Sequence, residues 1–153
     1  MTKVLLAVHV LAAIMAIGPV AVAASMFPAA VRRAGQEGTG GVATVRTLHR
    51  ICRVYSAVGL AVPAFGLATA NSLHVLGDTW VIVSIALTAL AAAVLALFIL
   101  PRQDAALAAL GSEPAAVDRE ATVRLAMATG VFNLLWAVVT VLMIVRPGST
   151  TGV

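Results

Sequence analysis

Four long apolar stretches alternate with short polar ones along this chain. The first runs from Val4 to Val31 and stops at Arg32-Arg33; the second runs from about Val54 to Leu76, between Arg53 and Asp78. The third is Trp80–Leu100, closed by Pro101-Arg102, and the fourth is about Ala121–Val145, followed by Arg146-Pro147-Gly148. A helix needs roughly 20 apolar residues to cross the hydrocarbon core of a bilayer. Each stretch supplies them, with no charged side chain near its centre. The pattern predicts an all-α fold: a single integral membrane domain built as a transmembrane antiparallel four-helix bundle.

The intervening segments complete the outline. Gly35–Gly41 (GQEGTGG) reads as a flexible, solvated linker and Val42–Arg53 as a helical lead-in to the second span. Gln103–Leu110 reads as a short continuation of the third helix. Ser112-Glu113-Pro114 has the form of a helix start, with Ser as N-cap and Pro in the first turn. Glu120 and Arg124 are spaced i,i+4, so they can pair where the fourth helix enters the membrane.

Polar residues within the spans identify the faces that meet. Helices in lipid approach through small residues and bond through polar ones. In the second span, Gly59, Pro63, Gly66, Ala70, Asn71 and His74 recur at steps that keep them near one face. The first span offers His9 with Ala12 or Ala13, Ala16 and Ala23, and Gly18-Pro19 reads as a kink or close-contact point, since proline removes a backbone donor. Ser84 and Thr88 mark the third; Thr129, Asn133, Trp136 and Thr140 mark the fourth. His9 is six residues in from Lys3, roughly 9 Å along a helix. Thr140 is six residues before Arg146, and His74 four before Asp78. His9, Asn71, His74, Thr140 and Trp136 are therefore expected to converge in one half of the bundle.

Composition and charge agree with a membrane setting. Hydrophobic residues make up 61% of the 153 and charged residues 10%, against roughly 45–50% and about 25% in soluble domains. The mean hydropathy is +1.05. The net charge of +4 does not point to nucleic acid, because no stretch interleaves basic residues with aromatics. The first and third loops hold Arg32, Arg33, Arg46, Arg50, Arg53, Arg102, Arg119 and Arg124, and the other side only Lys3 and Arg146. Eight against two places the basic loops in the cytoplasm and both termini outside, in a bacterial inner membrane. Phe27, Tyr55 and Phe98 stand at the depth of one aromatic belt and Trp80 at the other. Lys3, the apolar run and Ala21–Ser25 (AVAAS) imitate a cleavable signal peptide. The run exceeds the core of roughly 7–15 residues of such peptides and holds His9 and Pro19, so the first span is expected to be retained. The single cysteine, Cys52, excludes an intrachain disulfide or a cysteine metal cage.

The candidate chemistry is sparse. Two imidazoles from neighbouring helices, His9 and His74, can hold a haem iron or a divalent metal within a bundle, with Asn71, Thr140 and Trp136 around them. Equally, each histidine can bond a carbonyl or hydroxyl of the next helix. Arg46, His49, Arg50 and Arg53 form a basic patch able to dock on anionic lipid or accept a phosphate, or simply to set topology. Asn133 is a candidate ligand-orienting group or interhelical tie. No carboxylate lies in a span, so there is no acid/base pair for membrane chemistry. Four spans without an internal repeat offer little to an alternating-access transporter.

Several stretches carry a family resemblance: HVLAAIMAIG (His9–Gly18), VPAFGLATA (Val62–Ala70), LPRQDAALAAL (Leu100–Leu110) and VLMIVRPG (Val141–Gly148). Together they resemble an uncharacterised bacterial family of four-span integral membrane proteins, a domain of unknown function, which implies architecture and location. More distantly the chain is similar to the copper-resistance-D-like and membrane protoporphyrinogen-oxidase-like four-helix proteins. That likeness implies a cofactor- or metal-binding histidine early in the first span, at His9. The chain departs from the oxidase pattern in having no Trp between His9 and Gly18 and no Lys in the third span.

The reading that emerges is a small structural or accessory membrane component without catalysis of its own. Its partners are the lipid bilayer and either a second copy or another membrane protein. The alternative is a haem- or metal-binding redox protein using His9 and His74, with haem b as the candidate cofactor. A small-molecule or ion permease is the weaker third.

Overall fold

The computed structural model describes residues 2–37, 39–112 and 118–148. These are almost wholly helical, with no strand among them. The helices are α1 (Thr2–Glu37), α2 (Thr39–Gly59), α3 (Ala61–Ser72), α4 (Thr79–Ala93), α5 (Leu100–Leu110) and α6 (Arg119–Val145), with a π-helical stretch, Val94–Ile99, joining α4 to α5. Four continuous rods are long and apolar enough to cross a membrane: Lys3–Gln36, Gly40–Ser72, Thr79–Leu110 and Arg119–Val145.

Prolines explain the irregularities within the rods. Pro63 has no N–H to give to the Gly59 carbonyl. The chain steps over the gap with a single tight turn, in which Leu60 N–H bonds Ala57 O at 3.2 Å, and α3 begins. Pro101 withholds its donor from Leu97 in the same way, and the π-helical stretch containing Leu97 ends two residues before it, at Ile99. Pro19 and Pro28 stay inside an unbroken α1.

The first rod packs on both halves of the second and on the fourth, the fourth packs on the third, and the third meets the second chiefly through α5 against α2. The four rods thus form a ring whose main core centres on Phe27, Val45, Cys52, Ile99 and Phe132, all 0–2% exposed. A smaller cluster, Ala70, Trp80 and Val81, closes the opposite end. Large apolar side chains such as Ile14, Leu97, Leu134 and Ile144 point outward and are well exposed. In water such a surface would drive aggregation; against acyl chains it is the solvated face.

Several expectations are revised. The described residues of the expected flexible linker Gly35–Gly41 are helical: α1 continues to Glu37 and α2 starts at Thr39. The two helices approach so closely that a Cβ on Gly41 would lie 2.5 Å from Ala34 Cα. Glycine there serves helix contact rather than flexibility. In the second rod the helix ends at Ser72, so Leu73–Leu76 forms a turn instead of the last turn of the span. The N-cap of α6 is Asp118, whose Oδ1 accepts from Glu120 N–H at 2.9 Å; Glu113 and Pro114 lie outside the described residues. Phe27 is fully buried in the core and is no belt residue, whereas Phe98 is exposed with the Arg102 guanidinium 5.2 Å from its ring centre. The continuation of the third helix and the Glu120–Arg124 pair (2.5 Å) are found as expected.

Candidate functional site

His9 is held at the seam between α1 and α3. Its ring is buried, and Nδ1 lies 2.9 Å from the Val62 carbonyl oxygen. A carbonyl can only accept, so Nδ1 carries the proton and donates, which leaves the Nε2 lone pair unprotonated in the neutral ring. Space for the ring comes from Gly66, one turn beyond Val62: a Cβ there would stand 2.9 Å from His9 Cε1. The stripe of small residues on the second rod therefore has a specific use at this point. It lets the imidazole's Cε1 approach the backbone of the second rod.

The other residues expected beside His9 are elsewhere. His74 follows the end of α3 in a turn, at φ 57°, with its side chain exposed. Six residues, roughly 9 Å of helix, separate Gly66 from the end of α3, and His74 lies beyond that. Asn71 is exposed, and its carbonyl accepts the His74 N–H at 3.1 Å. Thr140 is exposed and bonds back to Trp136 O. Asn133 Nδ2 donates to Ser25 Oγ at 3.0 Å, which fixes the level of α6 against α1. His9 is sixteen residues from Ser25 and Thr140 seven from Asn133, so the two differ in level by roughly 13 Å. Trp136 packs edge-on to Phe132, with centroids 6.3 Å apart. The five residues do not converge. Tested against a haem or metal held by two imidazoles, the fit is incomplete. His9 has the backbone-anchored Nδ1 that ligating histidines use, but His74 is not opposite it. Among the described residues no three His, Cys, Asp or Glu side chains are grouped for a metal.

A second polar cluster forms where α2 meets α5. His49 is buried, with Nδ1 3.0 Å from Gln103 Oε1 and Nε2 2.9 Å from Asp104 Oδ1, the latter a close approach without hydrogen-bond alignment. Gln103, fully buried, donates its Nε2 to Cys52 Sγ at 3.5 Å. Helical spacing puts His49 and Cys52, three apart, on the inner face of α2, while Arg46, Arg50 and Arg53 are exposed. The predicted patch is thus divided: three arginines face out and the histidine faces in. Gln103 and Asp104 were not foreseen as its partners; the polar pair directly after Pro101-Arg102 was the available signal.

Against this geometry the comparisons add nothing positive. No known family model, curated protein or solved structure matches the chain.

The polar groups divide by the reach of their bonds. His9, Gln103 and Asn133 each reach across to another rod, to Val62, to His49 and Cys52, and to Ser25. The hydroxyls of Ser84, Thr69, Thr129 and Thr140 bond the carbonyl four residues back in their own helices. Among the described residues, buried Asn133 Oδ1 and Trp136 Nε1 have no hydrogen-bond partner, like His49 Nε2.

Proposed function

We propose that the chain is a small four-span membrane component without catalysis of its own, whose buried polar residues tie the helices into one rigid body. The observation that carries this reading is the His9–Val62 bond seated on Gly66. It uses the most chemically capable side chain of the first span as an α1–α3 tie, and Gln103 and Asn133 are used alike. In this reading the protein sits in a bacterial cytoplasmic membrane with its basic end inside. Replacing His9 by Leu is expected to lower the stability of the detergent-solubilised bundle by about 0.6 kcal/mol, the average of interhelical polar contacts in membrane double-mutant cycles, and by no more than about 1.7. Unchanged stability would sink the proposal.

One observation favours a second reading. With Nδ1–H anchored on a carbonyl, Nε2 is the atom through which a neutral His9 would ligate iron or another metal. A haem on His9 alone would supply one-electron redox chemistry, with the Val62 carbonyl orienting the ring. An absorption spectrum of the purified protein decides it: a Soret band lost in His9→Ala supports the haem, and a colourless preparation after haem addition removes it.

A further inference from the structure

Beside the close contact of Gly41 with Ala34, the α1–α2 groove opens into a cavity of about 330 Å³. Its floor is apolar, from Met26, Ala29 and Ala30 of α1 and Leu48 of α2; its polar lining is Arg33 and Thr44. We infer that this groove is a binding site for an anionic phospholipid, with the phosphate on the Arg33 guanidinium and an acyl chain on the apolar floor. The inference rests on the bundle lying in a bilayer.

Charge and shape both select this occupant. From Arg32 to Arg53 the hairpin carries five arginines against one carboxylate, Glu37. Arg32, Arg33, Arg46, Arg50 and Arg53 are all exposed, and none is ion-paired with another residue whose side chain is described. The larger cavity of about 390 Å³ between α5 and α6 is different: there Arg102 and Arg124 are balanced by Asp118 and Glu120. Val22, Met26, Ala29 and Arg33 follow one another at steps of four, three and four, hence along one face of α1. Val22 and Met26 are exposed, so the stripe continues out of the groove onto the lipid-facing surface. From Val22 to Arg33 is roughly 16 Å of helix, about the depth of one leaflet of a 30 Å hydrocarbon core. A guanidinium at the top of an apolar stripe of that length meets a headgroup phosphate while its stem covers the chain below.

Native mass spectrometry of the full chain, released from detergent with phosphatidylglycerol or phosphatidylcholine of identical acyl chains, tests the site. Phosphatidylglycerol is expected to be retained preferentially. Arg33→Gln is expected to weaken that retention about fivefold, the weight of one basic residue at an anionic surface. Arg50→Gln, exposed on the same hairpin but outside the groove, should lose clearly less, and Arg146→Gln at the far end nothing. Equal retention of the two lipids, or equal losses in Arg33→Gln and Arg50→Gln, would overturn the site in favour of diffuse electrostatics. Full displacement by equimolar inorganic phosphate would also overturn it, since the apolar floor would then contribute nothing. Circular dichroism melts of each variant separate loss of the site from loss of fold. A chain recovered in the soluble fraction of cells would instead defeat the membrane setting itself.

Discussion

Glycine positions separate contact from mere flexibility. At Gly66 an added methyl meets the far end of the His9 ring, so Gly66→Ala is expected to displace the imidazole and break its bond to Val62. Because both substitutions remove the same tie, His9→Leu and Gly66→Ala should be strongly non-additive in unfolding experiments. At Gly41 the methyl meets the Ala34 backbone at 2.5 Å, which cannot swing away. Gly41→Ala is therefore expected to cost about 1–3 kcal/mol through overpacking. Gly18 and Gly130 have nothing within 4 Å; Gly→Ala at either should be neutral or stabilise by up to about 1 kcal/mol through helix propensity. Thermal melts of the four variants in one detergent check the order. His9 itself was legible from sequence as a polar group needing a partner. Its acceptor was not, because a backbone carbonyl is present at every residue and leaves no mark in the pattern.

Among the elements, the presence of four long apolar helices was legible, since hydrocarbon imposes a minimum apolar length that a sequence cannot disguise. Helix ends in the polar zones were harder. GQEGTGG has the composition of a loop, yet the close α1–α2 approach at Gly41 favours helix there. Leu73–Leu76 has the composition of a span, yet forms a turn with His74 in the left-handed region. The clamp of α5 on α2 is the element-level feature with the largest expected effect. Gln103→Leu would leave His49 Nδ1 without its partner in a buried site and is expected to cost about 1–3 kcal/mol. Amide exchange in α5 (Leu100–Leu110) should quicken accordingly, and unchanged exchange would show that the clamp does not hold the two helices.

For the whole molecule, the all-helical four-rod architecture follows from apolar length alone, and the ring order adds which rods touch. The convergence of five polar residues at one level did not follow. Equal distances from span ends translate into equal depths only if the rods start level, and the Asn133–Ser25 bond shows α6 offset against α1. Orientation across the bilayer rests on the arginine asymmetry. A C-terminal alkaline phosphatase fusion is expected to be active, and one inserted at Gly111 inactive; the reverse pattern would invert the bundle.

The role of His9 as a structural tie is tested most directly by the unfolding free energy of wild type and His9→Leu, each with and without added haem. A loss of about 0.6 kcal/mol, and of no more than about 1.7, that is the same in both conditions is expected if His9 serves the helix seam. Stabilisation of the wild type by haem that His9→Leu abolishes, with no difference in its absence, would contradict that role and make His9 a ligand.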